Sequence, residues 1–229
     1  MEQPQNSMNR PMRSKDKLTN PMGPKEITDA LRSAIASGER KPGQRLVETQ
    51  LCEFFAVKRS IIRAALQKLA HEGFVTITSN VGASVVEFSR DDIEQVYDLL
   101  GVLEGLAVRL ATPFVTDSQV LKMEELLNRM EDADSQHVFF QYNDEFHVLL
   151  CALSGNKRLL SLTDNLRLSR NTFGYHSLFV PGQTTISKAE HRKIFQAIKE
   201  NKPIEAEQFM RDHLINAKNL LVKWLSRSL

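Results

Sequence analysis

The chain lacks any uninterrupted apolar run approaching the roughly 20 residues that a membrane-spanning helix requires. It also lacks an apolar stretch near its start. Residues 1–20 are rich in Asn, Gln, Ser, Met, Pro and Arg, the wrong composition for a secretory signal core and a fitting one for a disordered tail. Both absences make the cytoplasm the expected compartment, with no membrane partner. Cysteine is scarce: Cys52 and Cys151 are far apart and read below as belonging to different domains. Two buried thiols are therefore expected instead of a disulfide. No repeat of solenoid length is visible. With 41% hydrophobic content, 229 residues suffice for one large or two ordinary globular domains. The net charge of +2 is unevenly spread, with +4 over residues 1–88 and −2 over residues 89–229. That suits an N-terminal reader of a polyanion joined to a near-neutral partner domain.

The most informative run is Leu46 to Gly82. Leu51, Cys52 and Phe55 lie at helical spacing, and Val57 follows in a turn. Ile61, Ile62, Ala65, Leu66 and Leu69 form a second apolar stripe of helical period. Lys58, Arg59 and Ser60 open that second helix and Arg63 lies one turn on. From Lys58 to Lys68 four residues are cationic and none is acidic. Gly73 supplies the left-handed conformation that ends a helix. Phe74–Thr78 and Ala83–Phe88 are short runs containing β-branched residues, separated by Ser79-Asn80-Val81-Gly82, which is a hairpin signal. Helix, turn, basic-tipped helix and hairpin is the order of a winged helix-turn-helix, whose second helix enters the DNA major groove. An earlier helix begins at Pro24 and ends at Ser37-Gly38.

This segment resembles the DNA-binding domain of the GntR transcription factors. The resemblance rests on Gly38, Pro42, Gly43, Leu46, Glu48, Leu51, Val57, Arg59, Ile62, Arg63, Ala65, Leu66, Leu69, Glu72, Gly73 and Gly82 at the family's spacing. Two positions depart from it. Lys58 replaces the usual Ser or Thr, and Ala64 replaces a frequent Glu. Both changes favour affinity for a polyanion. Arg59 and Arg63 are the expected base or phosphate contacts. Lys58 and Ser60 are expected to hold phosphates at the helix N-terminus. Thr49 is expected on the DNA backbone, and Asn80 and Gly82 on the wing over the minor groove.

Beyond Ser89, which reads as an N-cap with Asp92 three residues on, only helical patterns occur. They span about 91–112, 117–131, 136–153, 156–177, 184–200 and 203–228, with Gly, Pro, Asn or Asp at most breaks. The expected class is mainly α: a disordered tail (1–20), a winged helix-turn-helix (21–88) and an all-α antiparallel bundle (89–229) of six or seven helices. Within the bundle, Asn143 and His147 are four apart and share a helix face. His191 and His213 lie on two later helices. Imidazole is a common metal ligand, yet three histidines spread over this much chain are more often unrelated than joint ligands.

A second resemblance bears on that choice. Residues 91–229 are similar to the FCD effector domain of the FadR branch of GntR regulators, through Tyr97-Asp98-Leu99, Leu103-Glu104, Asn143-Asp144-Glu145-Phe146-His147, Ser154-Gly155-Asn156, Glu190-His191 and Arg211-Asp212-His213-Leu214. It implies a divalent metal, zinc first and nickel or manganese next, on His147, His191 and His213. Asn143 stands where the family has Asp, so the fourth position is an uncharged amide. The alternative is that the histidines contact a carboxylate effector directly. The family's frequent Arg in the first bundle helix is Leu100 here. Arg109, Arg167 and Arg170 are the cations that could replace it, with Tyr175 as a further effector contact. The resemblance implies a homodimeric repressor on a pseudo-palindromic operator, tuned by a small metabolite such as an organic acid. Two other readings stand beside it: a sensor of the metal itself, and a zinc hydrolase. The DNA-reading head argues against the hydrolase. So does the absence of an obvious general base beside His147, since Asp144 and Glu145 are spaced away from its face.

Overall fold

A computed structural model describes residues 22–177, 180 and 182–228; of these, the side chains at 167–168, 170–172, 174–176 and 227–228 are not described. The tail expected over residues 1–20 lies outside the described residues. Helix α1 (Pro24–Ala36) starts with proline at its first position, where a missing N–H is harmless. It buries Ile27, Leu31 and Ile35 along one stripe. Strand β1 (Arg45–Leu46), helix α2 (Glu48–Phe55) and helix α3 (Arg59–His71) follow, then strands β2 (Val75–Thr78) and β3 (Gly82–Val85). The three strands form an antiparallel sheet in the order β1-β3-β2, with Thr76 and Arg45 both opposite Ser84.

Two details differ from the sequence reading. Strand β1 was not expected, because two residues carry no periodicity. It forms because Gln44 and Gly43 exchange backbone hydrogen bonds with Val85, at 3.0 and 3.1 Å. The regular β2 ladder also starts one residue late. Phe74 donates its N–H to Leu69 O (2.9 Å) and Gly73 to Ala70 O (3.2 Å), so both residues close the end of α3 before the strand begins. Gly73 reaches φ +83° to do this.

The second domain contains α4 (Arg90–Ala111), a 3₁₀ turn (Thr112–Phe114), α5 (Asp117–Glu131), α6 (Gln136–Leu153), α7 (Lys157–Ser177), α8 (Gln183–Lys199) and α9 (Pro203–Ser228). The bounds fall within one residue of those expected. Helices α4 and α9 form the most extensive pair. Gly105 permits their close approach, since a Cβ there would sit 2.9 Å from Arg211 Cγ. No described helix is long and apolar enough to cross a membrane.

The two domains share one apolar core. Phe88, in the connection, packs on Phe173 of α7 with ring centroids 5.0 Å apart. Trp224 of α9 lies against Gly38 at the end of α1. A polar contact runs beside them. The buried Arg32 donates to Glu72 through Nε (2.9 Å) and Nη2 (2.6 Å) and to Asp29 through Nη1 (2.6 Å). That same Nη1 lies 3.4 Å from Nδ1 of His137 on α6. Burial, and then the Arg32 charge, push the His137 pKa below its ordinary value.

Helix α4 starts at the domain junction on a complete capping box. The Ser89 hydroxyl accepts from the Asp92 N–H (3.1 Å), and the Asp92 carboxylate accepts from the Ser89 N–H (2.7 Å). The Ser89 N–H and hydroxyl hold the Asp92 carboxyl below the usual carboxylate range. Ser89→Ala is expected to lower unfolding free energy by about 1 kcal/mol at neutral pH. A depressed carboxyl pKa stabilises above its unfolded value and loses that contribution as pH falls through the folded one. The difference between wild type and Ser89→Ala should therefore narrow on acidification below about pH 4, as urea titrations at several pH values would read.

Candidate functional site

The head presents its cationic face on α3. Arg59 and Arg63 have side chains 68% and 65% exposed, so both are available to a partner. Ser60 is exposed beside them. Lys58 is not in the helix as expected: it is the N-cap, with extended backbone (φ −71°, ψ 149°). An ammonium cannot accept a hydrogen bond, so the first turn of α3 receives no side-chain cap at the positive end of the helix dipole. Thr49 is exposed in the first turn of α2, and Asn80 and Gly82 lie at the exposed hairpin tip with φ +62° and +106°. Two residues of this face escaped the sequence reading. Arg45 on β1 donates to the Val81 carbonyl and so brings a further guanidinium to the wing. Glu48 binds Arg59 Nε and lies 3.5 Å from Arg63 Nε, so one carboxylate spans both arginines. Exposed pairs of this kind contribute little stability.

The second constellation lies inside the bundle. Helix α6 supplies His147, α8 supplies His191 and α9 supplies His213, all buried. One nitrogen of each lies within 4.8 Å of the others. Nε2 of His147 and Nε2 of His191 are 3.2 Å apart. The outer nitrogens are anchored: Nδ1 of His147 is 2.5 Å from Glu104 Oε2 on α4, and Nδ1 of His213 is 2.7 Å from Glu190 Oε2 on α8. Asn216 donates to the other Glu190 oxygen at 2.6 Å. A carboxylate that accepts a hydrogen bond from the ring Nδ1–H keeps the proton on that nitrogen and leaves the Nε2 lone pair facing inward. Among the described residues, the buried His191 Nδ1 has no hydrogen-bond partner. Burial, then the His213 and His147 rings, push the His191 pKa well below its ordinary value, so it is neutral. Three imidazole nitrogens converging in a dry site, two of them backed by carboxylates, suit a divalent first-row cation. The residues present therefore fit a metal.

A cavity of about 40 Å³ opens beside His147 and His213. Asn143 lines it, one helical turn before His147, as its spacing implied. The effector contacts read from sequence fare differently. Arg109 does not line this cavity. It pairs with Glu207 at 3.0 Å, since α4 turns it toward the side of α9 away from the triad. Arg167, Arg170 and Tyr175 belong to α7, but their side chains lie outside those described. Leu100, in the position of the family's arginine, is fully buried core. Sequence reading missed the roles of Glu104 and Glu190, and also missed Gln183 and Ser187 of α8, which line the cavity. A signal for Glu104 existed: an acid flanked by inward-facing positions of a long helix needs a buried partner.

Comparison with known proteins bears on both constellations. Residues 24–85 match the model of the bacterial regulatory proteins of the gntR family, and residues 95–216 match the FCD domain. The HTH-type transcriptional regulator YdhC of Bacillus subtilis (strain 168) is 31% identical, over 82% of this chain and 86% of its own length. The chain belongs to the GntR family, in the branch that carries an FCD domain. This family consists of DNA-binding transcriptional regulators and not of enzymes, which removes the hydrolase reading. The HTH-type transcriptional repressor RspR of Escherichia coli (strain K12) is 26% identical, over 85% of this chain and 88% of its own. Among solved structures, E. coli McbR/YncC superposes with a TM-score of 0.61 at 18% identity, covering 88% of this chain and 98% of that one, a likeness of fold alone.

If the carboxylates behave as outer anchors of the GntR protein's triad, Glu104→Gln and Glu190→Gln will each weaken zinc binding by about 10–100-fold. Competition with a chromogenic chelator reads this directly. Unchanged affinity in both variants would mean that the carboxylates do not act through the histidines.

Proposed function

We propose that this regulator is a repressor whose grip on DNA is set by a small metabolite bound beside a metal in the helical domain. One observation carries the reading: the buried His147–His191–His213 cluster with carboxylates behind it, in the same chain as a helix with exposed arginines. Zinc is the leading candidate, followed by nickel and manganese. Asn143 is the fourth ligand, directly or through water, and its lack of charge weakens the site relative to an Asp. The metal supplies a positive centre to which an oxygen of the effector, an organic acid, is attracted. The protein works in the cytoplasm as a homodimer. Its two-fold symmetry matches a pseudo-palindromic operator, one α3 per half-site.

On DNA, Arg59 and Arg63 leave Glu48 for base edges or phosphates. A bidentate arginine–guanine pair contributes about 1–3 kcal/mol of discrimination. Lys58 and Ser60 hold phosphates at the uncapped start of α3. Thr49 touches the backbone, and Asn80 and Gly82 place the wing over the minor groove. The effector acts by binding one arrangement of the heads more tightly than another. Helix α7 supports such coupling: Ser177 lines the cavity, and Phe173, one turn earlier, touches Phe88 in the connection.

The first test is the metal content of purified wild type and of a His147→Ala/His213→Ala double variant. About one metal per chain, lost in the variant, is the expected result; no metal in either, even after zinc incubation, overturns the metal site. Operators are then selected from a random duplex pool. Arg63→Ala should weaken binding to the selected sequence by about 10-fold or more. Release of DNA by a chelator alone would favour the metal itself as effector.

A further inference from the structure

Helix α8 turns a stripe of polar side chains toward the cavity. Gln183, Ser187 and His191 are spaced four apart, so they stack along one face. All three are buried, at 2%, 4% and 0% exposure. Among the described residues, Gln183 Oε1 is a fully buried acceptor with no hydrogen-bond partner. A buried acceptor left unpaired is costly, and native proteins rarely keep one without a reason. Both Gln183 and Ser187 line the cavity beside His213 and Asn143. Among the described residues lining it, none carries a lysine or arginine side chain. Gln183 and Ser187 offer this end of the cavity neutral hydrogen-bonding groups.

We infer that Gln183 is a specificity-determining residue of the effector site and that the effector carries a hydroxyl which donates to Gln183 Oε1. Ser187, one turn nearer the triad, is the second neutral partner. The inference rests on the metal-pocket reading above and adds the ligand's class: a small hydroxylated organic acid, with the hydroxyl on the side away from the histidines. A site that pairs a buried polar group with a ligand hydroxyl discriminates strongly against the analogue lacking it, because the protein's own group is then stranded.

The test uses full-length, zinc-loaded protein and matched probes: butyrate against 4-hydroxybutyrate, propionate against 3-hydroxypropionate, and succinate against malate. Affinities come from calorimetry and thermal shift. In wild type, at least one hydroxylated probe should bind about 10-fold or more tightly than its partner. In Gln183→Met, which keeps length and removes the acceptor, that ratio should fall to near one. Ser187→Ala should reduce it in part. Without ligand, Gln183→Met should melt no lower than wild type, because it removes a stranded acceptor.

A preference that survives Gln183→Met assigns the hydroxyl to another group, the metal included, and overturns the inference. Equal binding within every pair, or binding of no probe, also overturns it. So does a ligand-free Gln183→Met that melts several degrees lower, since the oxygen would then serve the fold. Zinc content and affinity for the selected operator are measured on the same preparations. Loss of zinc binding in wild type defeats the metal-pocket reading, whereas intact zinc and DNA binding with unchanged ratios defeats the Gln183 assignment alone.

Discussion

Three imidazole rings meet in the dry centre of the helical domain, and the surrounding helices are arranged to make that meeting tolerable. The three rings approach closely, and burial together with the His213 and His147 rings pushes the His191 pKa well below its ordinary value. The cost lies in their inward lone pairs, which crowd one another unless a cation or a proton intervenes. Glu104 and Glu190 fix two rings from behind, so the site cannot relax by rotating them away. Each carboxylate comes from a different helix than the histidine it holds. Helix α4 is thereby braced to α6, and α8 to α9, at the point where the bundle is least apolar.

The same logic of occupied charge appears at the other end of the molecule. Glu48 sits across Arg59 and Arg63 as the carboxylates sit behind the histidines. There the pair is exposed and contributes little to stability. Lys58 in a position that elsewhere caps the helix leaves the first turn of α3 without a side-chain cap.

Much of this was legible in the chain. Helical period, capping signals and turn glycines located every helix of the second domain to within a residue, because amphipathic helices with clear breaks encode their ends locally. The Ser89–Asp92 box and Gly73 at the end of α3 are cases in which one or two side chains determine local geometry. Strand β1 was not legible, since its two residues are held by partners about 40 positions away in a pairing that no local pattern records. The site divided along the same line. Asn143 and His147 share a face by spacing, but the convergence of His191 and His213 on them rested on resemblance until the helices were packed. Arg109 pairs with Glu207 of α9, a partner that helical spacing, which fixes a direction and not a neighbour, does not reveal. Glu190 and Gln183 were invisible as functional residues because each acts only through something far off in sequence.

The uninterrupted core between head and bundle, with Phe88 on Phe173, Trp224 at Gly38 and Arg32 reaching His137, has an evolutionary consequence. Regulators of this kind look modular, and grafting one member's reading head onto another's sensing domain would seem a short route to new circuits. Here such a graft would cut through packed aromatic rings and a buried guanidinium instead of a solvated linker. A working chimera built from this chain would have to carry its junction residues intact.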